Sequence, residues 1–347
     1  MTSENIFFSK DNLTFEKNKE PEWMKNIRLE SFKSFLKLPV REYAESPTQT
    51  AYTEIELDKI QELKIVRTEI SLDNKDIKAI NFIDAVKDKE LFNKYFMKII
   101  DRNTKFNSLH ASYVNNGMFI IVPDNTKLSE PLKLNVECKE EGHYFNHIVL
   151  VVGENCSLEF YENYKSNTKS DHLISDFLEV YVGKNSKVNV CSIQDYGKNV
   201  NNYSVKKGKV ESNGEIKWIV ANLGSKKVMS NVDNLLVGEF AAAYNYGVFL
   251  GKEQHLDITT NVQHLYRNTN GDILTKGAVF DKATSVHRGE ITVENEARQA
   301  NSNLTGHTLV FEGGKANAIP SLVIKTNDVK VKHAAWVSQV DDEQLFY

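Results

Sequence analysis

His333 alternates along a strand-like run with Val329 and Val331, while Lys330 and Lys332 fall on the opposite face. An imidazole sharing a face with two valines must be matched to a partner, because a buried polar group left alone destabilises the fold. Set against another polar group it becomes a candidate site, since its neutral nitrogen binds metals and its charge changes near neutral pH. The competing reading is a histidine satisfied within the core or an interface. Beyond it come an acidic cluster, Asp341-Asp342-Glu343, and the apolar group Leu345-Phe346-Tyr347.

Other residues offer chemistry less directly. His143 and His147 form an H-x-x-x-H. On a helix that spacing brings two rings to one face, but here it straddles a turn and a strand, where four residues span about 13 Å. Cys138, Cys156 and Cys191 are thiols that could bind iron, yet their wide spacing describes no cluster site and suits small buried or surface residues. Asp272 and Asp281 could supply the carboxylate pair of a glycosidase, although 47 acidic residues make such pairs common. Gly313-Gly314-Lys315-Ala316 lacks the spacing and the Ser or Thr of a phosphate-cradling loop, so any ATP hydrolysis belongs to a partner.

The chain of 347 residues is long enough for a large core, and 41% hydrophobic with 26% charged residues is ordinary for a globular protein. A net charge of -4 argues against a general nucleic-acid binder, and Lys206-Lys207 reads as a solvated face. The longest apolar runs, such as 118–122 and 148–152, are far short of the roughly 20 residues a membrane helix needs. No secretory signal is visible, and three scattered cysteines suit a reducing compartment, so the cytoplasm is the expected location.

These residues must be positioned by two kinds of element. From Trp23 to Leu38 apolar residues mark a helix stopped by Pro39, 52–70 reads as short strands and a helix, and Leu91–Ile100 has helical spacing. From about Gly117 to Val340, short strand-like runs such as MFIIVP, HIVLVVG and FLEVYVG follow one another without helical periodicity. Val152-Gly153-Glu154-Asn155 recurs as Val182-Gly183-Lys184-Asn185 at an offset of 30, and Ala278-Val279-Phe280-Asp281 parallels Leu309-Val310-Phe311-Glu312 at 31. Such periods favour stacked units, a β-solenoid, over a sandwich or barrel.

The terminal segment also resembles the SufB/SufD family, scaffold subunits of the SUF iron–sulfur cluster assembly machine. The family pattern D-V-K, two residues, H-G-A-T, then D-x-E-Q-L-F-Y is met by Asp328-Val329-Lys330, His333, Ala335, Asp341 and Glu343 through Tyr347. Ala334, Trp336 and Ser338 depart from it. Further similarity lies in Pro21-Glu22-Trp23-Met24 with Ile27-Arg28, in 35–39, in Lys105–Leu134 and in Ile273–Ile291.

The resemblance implies a mainly β fold: a right-handed parallel β-helix over 106–347 after a helical and mixed region over 1–105, without the family's C-terminal helices. It implies a SufD-like scaffold subunit, itself no enzyme, that pairs with a SufB-like subunit and a SufC-type ATPase. SufB-type chains carry a cysteine near the position of Gly314 and a glutamate directly after the histidine, where this chain has Ala334. His333 would then face the partner's thiolate as ligand or proton-handling group, over a transient shared cluster with no stably bound cofactor. The last strands, Leu322 to Val340, with Val329, Val331 and Trp336, would form the interface, with a SufB-like chain or a second copy. In the family, helices after L-F-Y dock onto the ATPase; this sequence ends at Tyr347, which places that contact in question. The rival readings are a self-associating structural solenoid and a β-helix polysaccharide-degrading enzyme. Neither nucleic acid nor membrane is an expected partner.

Overall fold

A computed structural model describes residues 8–13, 19–39, 55–74 and 77–339. The acidic run Asp341-Asp342-Glu343 and the group Leu345-Phe346-Tyr347 lie outside them. The described chain forms a parallel β-solenoid with helices near its N-terminus, as the repeats and the resemblance predict.

The helices are α1 (Glu22–Lys37), α2 (Phe82–Ala85), α3 (Lys89–Tyr95) and α4 (Lys105–Tyr113). Strands β1 (Glu69–Leu72) and β2 (Lys78–Asn81) pair antiparallel with β4 (Leu132–Cys138) and β3 (Asn116–Val122), closing the first coil. Every later pairing is parallel. One sheet continues from β4 through β6 (Ser157–Ser166), β8 (Lys187–Asp195), β10 (Glu215–Asn222), β12 (Ala242–Gly251), β14 (Asn270–Val279) and β16 (Ala300–Val310) to β18 (Val329–Gln339). The other continues from β3 through β5 (Tyr144–Val152), β7 (His172–Val182), β9 (Val200–Val210), β11 (Lys227–Leu236), β13 (His255–His264) and β15 (Thr284–Val293) to β17 (Lys315–Ile324). With two strands per coil, β3 to β18 make eight coils.

One corner explains the period. Asn125, Asn155, Asn185 and Asn213 adopt left-handed backbone at φ 61, 57, 56 and 55°. Asparagine tolerates that conformation because its short amide bonds locally. Here the side chains form a ladder: Nδ2 of Asn155, Asn185 and Asn213 each donates to Oδ1 of the preceding member at 3.0 to 3.1 Å. Each backbone amide also bonds to the next coil, as Asn155 N does to Lys184 O at 2.9 Å. The glycine two positions earlier follows from close approach: a β-carbon on Gly183 would stand 2.6 Å from the carbonyl carbon of Gly153. Phe240, Asn268 and Gln299 hold the same left-handed position in later coils.

α1 spans the expected helix. It buries Met24, Phe32 and Phe35, and its buried Arg28 donates twice to Glu20 at 2.7 Å and once to Ser112 O at 2.9 Å, a carbonyl in the last turn of α4. The helix expected over 91–100 stops early, at Tyr95. Met97 turns left-handed at φ 49°, and the amides of Met97, Lys98, Ile99 and Ile100 all donate to the carboxylate of buried Glu179, at 2.6 to 3.1 Å. Four charge-assisted bonds on one carboxylate replace the helical ladder and tie the N-terminal region to β7.

The interior is apolar in the early coils but carries ionisable groups. Lys206, expected on a solvated face, points inward and pairs with Glu162 at 2.8 Å, with both side chains almost fully buried. Inward Asp176 accepts from Asn146 and Asn202 Nδ2 and from Tyr196 OH, yet burial outweighs these bonds and lifts its carboxyl from 3.8 to about 6.

Two outcomes follow. Asn185→Ala loses two ladder bonds and strains the corner, so it should cost about 2–3 kcal/mol in denaturant unfolding, of which Asn185→Gly regains about 1. For Asp176 the folded protein holds its proton to higher pH than the unfolded chain. The penalty of its charge is therefore absent below about pH 4 and complete above about pH 6. Measured against Asp176→Asn, the native protein should lose up to ~3 kcal/mol of stability as pH rises across that window.

Candidate functional site

The solenoid ends on an open coil. β17 and β18 are the last strands of their sheets, so each leaves one edge without a strand partner among the described residues. An open edge is a template for pairing with another chain.

The register fixes which side chains face the interior there. β18 pairs with β16 so that Val331 lies beside Ser302, His333 beside Leu304, Ala335 beside Gly306 and Val337 beside Thr308. Val329, Val331, His333, Ala335 and Val337 thus continue an inward column. Val329 and Val331 pack partly buried against the core, whereas His333 and Val337 are exposed because no further coil covers them. The His333 ring makes no hydrogen bond or ion pair to another described residue. Trp336 lies on the outer face instead, 50% exposed, with its ring stacked on His307 at 4.5 Å. The positions where SufB-type chains differ fall here too: Gly314 in the turn before β17, and Ala334 on the outward side of β18.

The cysteines do not converge. Cys138 is interior, and burial beside Asp176 pushes its thiol well up. Cys156 sits at the asparagine corner, its Sγ 3.1 Å from Pro123 O, in the place that Ser186 takes one coil on. Cys191 is half-buried on the outer face between Tyr161 and Ile219, and burial raises it as well. Cys138 and Cys191 are therefore held as neutral thiols, poor nucleophiles and poor ligands.

His143 and His147 do not share a partner. His143 Nδ1 accepts from Leu173 N at 3.0 Å, with burial holding its ring down to about 3. His147 instead joins a buried chain for which residue spacing carries no signal. Ser175 Oγ lies 2.8 Å from His110 Nδ1, His110 Nε2 lies 3.2 Å from His147 Nδ1, and His147 Nε2 lies 3.1 Å from Glu179. The four residues come from α4, β5 and β7 and have at most 2% exposure. No substrate reaches them; they belong to the contact between the N-terminal region and the solenoid. Asp272 and Asp281 flank most of β14, about 30 Å apart at strand rise, so they form no carboxylate pair. Gly313-Gly314-Lys315 leads into strand β17 rather than a helix. Among the described residues, no three His, Cys, Asp or Glu side chains are grouped to hold a metal, and no helix is long and apolar enough to cross a membrane.

Residues 135–347 match the family described as SUF system FeS cluster assembly, SufBD core domain, which is more than half of the chain. Among similar proteins is an iron–sulfur cluster assembly SufBD family protein of Staphylococcus saprophyticus, 28% identical over 376 residues that cover 94% of this chain and 81% of that protein. Its counterpart in Staphylococcus epidermidis is 27% identical over 376 residues, and that of Staphylococcus aureus strain USA300 is 28% identical over 378, with the same coverage. The eight-coil solenoid, its open terminal edge and this match agree: the chain belongs to the SufBD family of iron–sulfur cluster assembly proteins.

Proposed function

We propose that this chain is the SufD-type subunit of a cytoplasmic SUF complex, pairing end to end with a SufB-like chain and relying on a SufC-type ATPase for hydrolysis. The observation that carries the reading is the state of the open coil. His333 is presented there, exposed and without a hydrogen-bond partner, while the three cysteines lie elsewhere. A chain with an available imidazole but no thiolate beside it suits a half-site completed by a partner's sulfur. Iron and sulfide are then cargo, held transiently at the junction, with His333 as ligand or proton acceptor. A SufB-like chain is favoured over a second copy because two copies would bring two imidazoles and no thiolate.

His333→Ala separates a chemical role from a merely structural one. An exposed side chain without partners adds little to folding, so the complex with a SufB-like chain should assemble normally while cluster formation in reconstitution falls at least tenfold. Unchanged cluster formation would make His333 a bystander. The pairing itself is tested at Val337, 44% exposed on the same inward column. Val337→Asp should leave the melting temperature within a few degrees and abolish the complex by light scattering, since an unpaired carboxylate would be buried at the junction. A complex that survives with native affinity would place the interface elsewhere.

A further inference from the structure

The outer faces of the two sheets differ in the middle coils. On the sheet containing β11, β13 and β15 the outward residues are mostly polar, among them Asn231, Asp233, Thr259, Asn261, Arg288 and Glu290. On the sheet containing β10, β12 and β14 the same coils present apolar side chains. Ile219, Val248 and Leu250 are 43, 48 and 45% exposed, and Ile193 and Leu309 flank them at 40 and 46%. Strand pairing sets these residues in adjoining columns, and a contiguous exposed apolar patch marks a surface that another molecule covers.

The charges around the patch point to its occupant. β12 supplies the middle of the patch, and the outward row of that strand, Tyr244, Tyr246, Val248 and Leu250, carries no charge. From β6 to β18 the outward column through Tyr244 runs Glu159, Asn189, Lys217, Tyr244, Asp272, Asn303, Lys332. Reversed about Tyr244, that column sets Glu159 against Lys332, Asn189 against Asn303 and Lys217 against Asp272. It is complementary to itself. Lys217 and Lys332 make no ion pair among the described residues, and Asp272 accepts a bond from Asn303 Nδ2 at 3.1 Å but meets no cation there.

We infer that two copies of this chain pair through these outer faces about a two-fold axis lying along β12. An axis along the strands keeps their direction and lays β10 of one copy over β14 of the other, β8 over β16 and β6 over β18. A residue on the axis meets its own copy, so a charge in the β12 row would face a like charge. Lys217 then faces Asp272 twice, and Lys276 comes diagonal to Asp195 of the second copy. Seven strands about 4.8 Å apart and about 30 Å long give a footprint of roughly 800–900 Å² per copy, the size of a standard interface. A partner of different sequence would require neither the uncharged axis row nor the self-complementary column. The contact leaves the free edge of β18 unused, so it is separate from the end-to-end pairing proposed above and does not rest on it.

Sedimentation of the full chain alone tests this. A dimer is expected at micromolar concentration, and a chain still monomeric at about 100 µM would overturn the pairing. Val248→Asp sets two carboxylates against each other on the axis and should abolish the dimer. Lys217→Glu and Asp272→Lys should each weaken association at least about tenfold, because like charges then meet twice, while a chain carrying both should return to within about threefold of native. A dimer unmoved by Val248→Asp, or single variants that the double variant fails to rescue, would place the contact on another surface and overturn the inference. All three side chains are exposed or half-buried, so the melting temperature should hold within a few degrees. Val337→Asp, which tests the open end, should leave this dimer intact; its loss there would show that the copies pair through the open coil instead.

Discussion

The architecture depends on a corner where a residue in left-handed conformation recurs from coil to coil, and at Asn125, Asn155, Asn185, Asn213, Asn268 and Gln299 its amide bonds to the next coil. That constraint aligns the coils although their lengths vary: successive corner residues are 30, 30, 28, 27, 28 and 31 positions apart, so extra or missing residues are taken up away from the corner. It also sets the register, which in a parallel sheet decides for every side chain whether it faces the interior or the outside. In the first coils asparagine meets the requirement and adds a side-chain ladder of its own. Later Phe240 and Gln299 hold the same backbone without that ladder, so the coils there rest on main-chain bonds and packing.

The two sheets are treated unequally. The outer face of the sheet containing β5, β7 and β9 carries Phe145, Phe177 and Tyr203, and the N-terminal helices cover it. Glu179 fixes that arrangement. A carboxylate buried without partners would be strongly destabilising, but four amides and His147 satisfy it, so leaving this arrangement would strand a charge. The opposite sheet carries Tyr161, Ile193, Ile219, Val248 and Leu309 at partial exposure. Interior chemistry shifts as well: near the open end, serine, threonine and histidine such as Ser302, Thr275 and His287 are buried among apolar side chains such as Ile273, Ile291 and Leu304.

Family membership and geometry constrain one another. Matching sequence establishes a SufBD protein, while the structure shows what this member brings to its open end: an exposed imidazole, an edge without a strand partner among the described residues, and no cysteine. The carboxylates Asp272 and Asp281 do not form the pair that a polysaccharide-cleaving groove requires, since Asp272 lies early in β14 and Asp281 in the turn beyond its end.

Much of this was written locally in the sequence. Period-2 strands, the V-G-x-N repeats at 30 residues and the helix before Pro39 are local signals, and a solenoid stacks local units upon their neighbours. The shared face of Val329, Val331 and His333 was legible for the same reason, since alternation along a strand needs no tertiary information. What the sequence could not decide was the company each side chain keeps. The pattern over Leu91–Ile100 reads as helix, but a carboxylate 79 residues away takes the amides of its last turn. Lys206 beside Lys207 reads as surface, yet strand alternation turns one inward, where Glu162 from two coils earlier meets it. The H-x-x-x-H spacing sets His147 four residues from His143 and says nothing of its actual partners, His110 and Glu179 from other elements. In each case the deciding group is distant in sequence and brought near only by the stacking of coils, and its electrostatic attraction outweighs the local preference.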